Sequence, residues 1–113
     1  MERELLKGNT PTMILAVLGD GPLHGYAIAR RIEERSGNAL KFKEGTLYPA
    51  LHALERQSFV ASHWETAGSG PARKVYTLTA DGHAELARRT ATWRQFSAAI
   101  NNVIGGNLHE QAA

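Results

Sequence analysis

The sequence contains no cysteine. Disulfides and thiolate metal sites are therefore excluded. Long apolar runs are missing too: the longest, Met13 to Leu18, falls far short of the roughly 20 residues that span a bilayer. Glu2 and Glu4 break the charge pattern of a secretory leader, and no apolar stretch follows them. A cytoplasmic location and no membrane contact are the expectation. Charge of one sign is scarce: 13 Lys and Arg face 11 Asp and Glu, a formal net charge of +2. Global charge is thus a weak pointer to nucleic acid, and the distribution of basic residues must carry that argument. The five histidines (24, 52, 63, 83 and 109) form no helical i, i+4 metal pair. His63 and Glu65 share a strand face, but two ligands are not a site. No Ser/His/Asp grouping stands out, and Gly68-Ser69-Gly70 lacks the strand-to-helix context of a nucleophile elbow. Neither catalysis nor a cofactor nor a metal is expected.

What is present is 113 residues, 42% of them apolar, which suits a single globular domain. Glu2 to Lys7 has the pattern of a short arm helix. Thr10-Pro11 predicts the start of the first core helix, with Thr10 as cap and Pro11 in the first turn. Gly19-Asp20-Gly21-Pro22 ends it. A second helix runs from about Gly25 to Ser36, burying Ile28, Ala29 and Ile32, with Gly37 as a left-handed stop and His24 as a capping residue. A third begins near Gly45, which would put Pro49 in its first turn, where no intrahelical N–H bond is lost. The period then changes to that of strands, over Phe59–Glu65 and Lys74–Thr79, joined by a turn at Ala67–Pro71. Thr79 caps a long fourth helix that Gly105-Gly106 ends. The order predicts a mainly α fold with a two-stranded β-wing (α+β), a winged helix-turn-helix. Residues 1–79 would form the arm and DNA-binding domain, 80–106 a dimerisation helix packed on it, and 107–113 a frayed tail.

The most informative segment is Glu44 to Glu55. Leu47, Leu51 and Leu54 fall on one helical face, and Tyr48 and His52 fall opposite. A helix of this kind fits the major groove of B-DNA, where each base pair presents its own pattern. Lys41, Lys43, Thr46 and Tyr48 are candidates at its leading end, and His52 lies one turn further. Ser69, Arg73 and Lys74 on the wing suit neighbouring phosphates or the minor groove. The same segment also reads as an ordinary amphipathic helix with a solvated outer face. A winged-helix module that docks a protein instead of DNA is the alternative.

Four segments in order carry a more specific resemblance: Leu15–Leu18, Pro22–Tyr26, Gly45–Leu51, and Arg73–Thr79 with Gly82. The chain resembles the PadR family of transcriptional regulators in its short, single-domain form. The resemblance implies a winged-helix homodimer that represses genes and, in some members, is released by small molecules; a symmetric pair would read a pseudo-palindromic operator. It places Thr46 and Tyr48 on the DNA-facing helix and Lys74 in the wing. Two departures stand out. Ser58 occupies a turn where the family usually has glycine, and the tip Gly68–Ala72 is less basic than in many members.

In the fourth helix Leu86, Trp93 and Ile100 recur at sevens, as do Phe96 and Val103. This stripe suits a partner helix in a homodimer. The resemblance gives Trp93 a second reading, since in multidrug-responsive relatives the corresponding Trp lines a flat pocket at the dimer centre. There Trp93, with Phe96 and Met13, would hold a small planar aromatic effector.

Overall fold

The structure, a computed structural model, describes residues 3–66 and 68–112, with side-chain surroundings through residue 105. Parts of the expected arm helix, wing turn and tail (Glu2, Ala67 and Ala113) lie outside the described residues.

The arm and the first core helix are one element, α1 (Arg3–Leu18). Thr10 does not cap it. The residue is buried in mid-helix, and its hydroxyl donates to the Leu6 carbonyl at 2.7 Å. A hydroxyl that bonds back one turn uses the same chemistry as a cap, so the two are easily confused in sequence. Pro11 consequently lies inside the helix and leaves the Lys7 carbonyl without its usual donor.

After a turn in which Gly21 adopts φ 146°, a two-residue strand, β1 (Leu23–His24), leads into α2 (Gly25–Arg35). Two residues are too short to show a period, which is why the sequence predicts only two strands. His24 occupies the N-cap position of α2, but its side chain makes no capping bond. Its Nδ1 is buried and unpartnered among the described residues. The stop after α2 is left-handed as expected. Gly37 and Asn38 both have φ 64°, and the Asn38 N–H donates to Glu33 at 2.8 Å.

Helix α3 (Glu44–Arg56) buries Leu47, Leu51 and Leu54. With Lys43 as N-cap, Pro49 falls in the second turn and not the first. Its missing N–H leaves the Gly45 carbonyl without an intrahelical donor, and leucine burial outweighs that loss. Ser58 then takes the left-handed turn, φ 65°, at a cost of about 1 kcal/mol.

The hairpin β2 (Val60–Glu65) and β3 (Arg73–Leu78) pairs Val60 with Leu78 and Glu65 with Arg73. β1 adds antiparallel to the free edge of β3, giving the order β1-β3-β2. Val60, Tyr76 and Leu78 turn into the same core as Ile14, Leu15, Ile28 and Leu51. An isolated hairpin is marginal, and this packing is what holds the wing.

Thr79 caps α4 (Ala80–Ala112), its Oγ1 accepting the Gly82 N–H at 2.9 Å. The same hydroxyl donates to the Ser58 carbonyl at 2.6 Å, which ties the helix start to the turn after α3. α4 does not stop at Gly105-Gly106 but continues through them to Ala112, because neither glycine turns left-handed. Its length is about 50 Å at 1.5 Å per residue.

Near the start of α4, Glu85 accepts bonds from Arg88 (2.7 and 2.9 Å) and Arg89 (2.6 Å). These two guanidiniums hold its carboxyl at about 2, below the ordinary 4.5. A lowered carboxylate pKa stabilises the fold above about 4.5, and that contribution fades as pH falls toward 2. Glu85→Gln should therefore lower stability to urea at pH 7 and flatten its decline between pH 4.5 and 2. Equal pH dependence in both proteins would show that the cluster is not coupled to folding.

Candidate nucleic-acid interface

The three leucines of α3 face the core, so the helix presents its other side outward. Lys41 and Lys43 are exposed just before it, and Thr46 is half-buried in its first turn. No side chain caps that turn. Uncapped N–H groups and the positive end of the helix dipole both favour an anion there. Lys41, Lys43 and Thr46 line a cleft of about 750 Å³ between α3 and the start of α1.

Tyr48 and His52 lie one turn apart, their ring centroids 6.1 Å from each other at 43°. His52 is exposed, whereas Tyr48 is half-buried. The sequence places Tyr48 on a free polar face; in the fold its ring leans on the start of α2. A Cβ at Gly25 would lie 2.6 Å from the Tyr48 hydroxyl, so glycine is what lets the two approach. Gly25, Tyr48, Tyr26, Arg73 and Lys74 line a second cleft, of about 440 Å³. Gly25→Ala should thus swing Tyr48 away and cost DNA affinity about as much as Tyr48→Ala, while the melting temperature stays near wild type. An unaffected affinity in Gly25→Ala would show that the position of Tyr48 is immaterial.

The wing residues divide. Ser69 and Arg73 are exposed. Lys74 is only half free: its Nζ lies 3.8 Å from Glu55 at the end of α3 and 5.6 Å from the Tyr76 ring centroid. Glu55 also accepts the Ser62 hydroxyl, and burial together with Glu55 pushes the Tyr76 phenol up. This polar knot joins wing to helix. Sequence reading missed Glu55 because its partners lie on the two strands of the wing, beyond any local period. Gly25 and Tyr26 had a signal, inside the Pro22–Tyr26 segment, but no spacing revealed what they touch.

The structure thus groups the eight predicted residues into a set before and within α3 (Lys41, Lys43, Thr46), a middle pair (Tyr48, His52) and the wing (Ser69, Arg73, Lys74). Tyr48 meets Arg73 and Lys74 in the second cleft, whereas Ser69 lines neither cleft. Among the described residues no group of three or more His, Asp or Glu is placed to hold a metal, and His63 and Glu65 form only a 3.3 Å pair.

On α4, Leu86 packs against the chain's own core, near Gly19, instead of leaving its face free. The rest of the stripe is open. Trp93 is 46% exposed, Phe96 55%, Ile100 38% and Val103 85%, too much apolar surface to leave to water without a reason. Trp93 and Met13, with Leu5, Leu6 and Leu40, line an apolar hollow of about 340 Å³. Phe96 is outside it, its ring 6.2 Å from that of Trp93. No helix among the described residues is long and apolar enough to cross a membrane.

Residues 14–88 match the model of the PadR-like family of transcriptional regulators. Transcriptional regulator Rv3488 of Mycobacterium tuberculosis is 33% identical over 107 residues, covering 95% of this chain and 94% of that protein. The negative transcriptional regulator PadR of Bacillus subtilis is 34% identical over 73 residues, 65% of this chain but 40% of its own length. Among solved structures, a transcriptional regulator from Clostridium thermocellum superposes with a TM-score of 0.83 at 25% identity, over 92% of this chain and 98% of that one. A PadR family regulator from Clostridium difficile gives 0.76 at 31% identity, over 86% and 99%. The winged fold, the match through its core helices and wing, and relatives of the same length agree: the chain belongs to the PadR-like family of transcriptional regulators.

Proposed function

We propose that the chain is a homodimeric, sequence-specific DNA-binding repressor whose operator is a pseudo-palindrome and whose grip a small planar aromatic effector releases. The observation that carries this reading is the uncapped, exposed first turn of α3, flanked by Lys41 and Lys43 and backed by three buried leucines. α3 enters the major groove, with Thr46 and the lysines on phosphate and Tyr48 and His52 nearest the base edges. Arg73 and Ser69 take the neighbouring backbone. Lys74 acts chiefly through Glu55, holding the wing at its angle to α3. Among the described residues the cleft around Tyr48 is lined by Arg73 and Lys74 and by no carboxylate, which favours DNA over a protein partner.

Residues to 79 are the DNA-binding unit, and α4 joins two of them. The stripe of Trp93, Phe96, Ile100 and Val103, rooted at Leu86, packs on its symmetry mate. Two copies of α3 then lie about one DNA turn apart, roughly 34 Å. Trp93 and Met13 supply the effector's hollow, with Phe96 at its rim. Planar aromatics should quench Trp93 fluorescence, measured in Trp64→Phe to remove the other indole, and Trp93→Ala should abolish the effect. No quenching across a broad panel would leave Trp93 as interface alone. DNA binding itself is tested by fluorescence anisotropy on the duplex upstream of the chain's own gene.

A further inference from the structure

The cleft at the start of α3 has a second wall, which lies on α1. Arg3 and Lys7 are four apart on that helix, hence on one face, and both are exposed. They line the 750 Å³ cleft together with Lys41, Lys43 and Thr46. Four cations therefore share one cleft from two stretches of chain, and among the described residues no carboxylate lines it. Glu4 and Glu44, their neighbours in sequence, are not among its walls. Of the nine other Lys and Arg residues, five (Arg30, Arg35, Lys74, Arg88 and Arg89) have a carboxylate within 4.0 Å, and the four that do not (Arg31, Arg56, Arg73 and Arg94) are not gathered in one cleft. None of the four in the cleft has one among the described residues. Exposed like charges that share a cleft repel weakly through water, and an anion between them turns that repulsion into attraction. The other face of the same stretch of α1 carries Leu5 and Asn9 against the Trp93 hollow, which fixes the basic face toward α3.

We infer that the Arg3–Lys7 face of α1 is a second seat for the DNA phosphate backbone, extending the footprint past α3 and the wing. This rests on the DNA-binding reading, because Lys43 and Thr46, which α3 brings to the duplex, form the opposite wall of the cleft. A groove walled on both sides by cations suits a continuous row of phosphates better than a single small anion.

The test is the R3Q/K7Q variant, titrated by anisotropy across a range of salt on the upstream duplex and on an unrelated duplex. Losing two phosphate contacts per chain, four per dimer, should reduce the log–log salt slope by about 3.6 and weaken binding by roughly a hundredfold or more near 0.1 M salt. Both duplexes should lose affinity by the same factor, since phosphate contacts carry no sequence information. R3K/K7R should restore the slope. An unchanged slope in R3Q/K7Q, or a loss on the upstream duplex alone, overturns the inference while DNA binding by the wild type stands. No salt-dependent binding by the wild type would instead remove the DNA-binding reading on which it rests. If the double variant fails to fold, K7Q alone decides, through a slope change of about 1.8 for the dimer.

Discussion

Gly82→Ala should destabilise the protein by about 3 kcal/mol and lower its melting temperature by roughly 10 °C. The sign is the informative part. In an unobstructed helix the same change stabilises by up to about 1 kcal/mol, because alanine forgoes the backbone freedom that glycine loses. Gly82 is buried in the first turn of α4, and a Cβ built there lies 2.0 Å from the Phe59 carbonyl oxygen. Neither side can easily yield. The Phe59 carbonyl accepts the Thr79 N–H at 3.1 Å, and the Gly82 N–H is held by the Thr79 hydroxyl at 2.9 Å. Relieving the clash means breaking the cap and lifting α4 off the turn at Ser58. Gly8, on an exposed part of α1 where an added methyl would meet nothing within 4 Å, is the control. Gly8→Ala should be neutral or stabilising in the same thermal melt. If Gly82→Ala melts with the wild type, α4 does not begin against Phe59.

Replacing Phe96 and Val103 by glutamate should give a monomer by sedimentation and reduce affinity for the upstream duplex by about 100-fold or more. Both side chains are more than half exposed on the single chain, so its secondary structure should persist. The loss comes from geometry. Two linked reading heads bind as one event plus an intramolecular second, and that linkage is typically worth about 10² to 10⁴ in affinity. Glutamates facing their symmetry mates would also bury unpaired charge in an apolar seam. Binding to a single half-site should weaken far less. A double variant that remains dimeric would place the dimer seam elsewhere on the molecule.

Much of this fold is legible in the sequence where the signal is local. Leucines at 47, 51 and 54 give the buried face of α3. Alternation gives the hairpin and Thr79 gives the start of α4, whereas the left-handed Ser58, φ 65°, is pointed to only by the resemblance, which usually has glycine there. The misreadings share one physical cause: a residue type with two uses. Thr10 is as good at bonding back to Leu6 as at capping, Pro49 is tolerated in a second turn as well as a first, and Gly105-Gly106 weakens a helix without ending it. The candidate site is less legible than the fold. Which side chains are outward on α3 follows from the period. That Tyr48 rests on Gly25, that Lys74 is tied to Glu55 and that Arg3 and Lys7 face α3 depend on tertiary packing, which no spacing encodes.

The most direct measurement is anisotropy of the labelled upstream duplex against protein concentration, repeated from about 50 to 300 mM salt. Two chains should bind each operator, with a linear log–log salt dependence of about −0.9 for each phosphate neutralised. Tighter binding than to an unrelated duplex should persist at every salt concentration. Binding by a single chain, an affinity indifferent to salt, or no binding at any salt would contradict a dimeric repressor that holds DNA through α3.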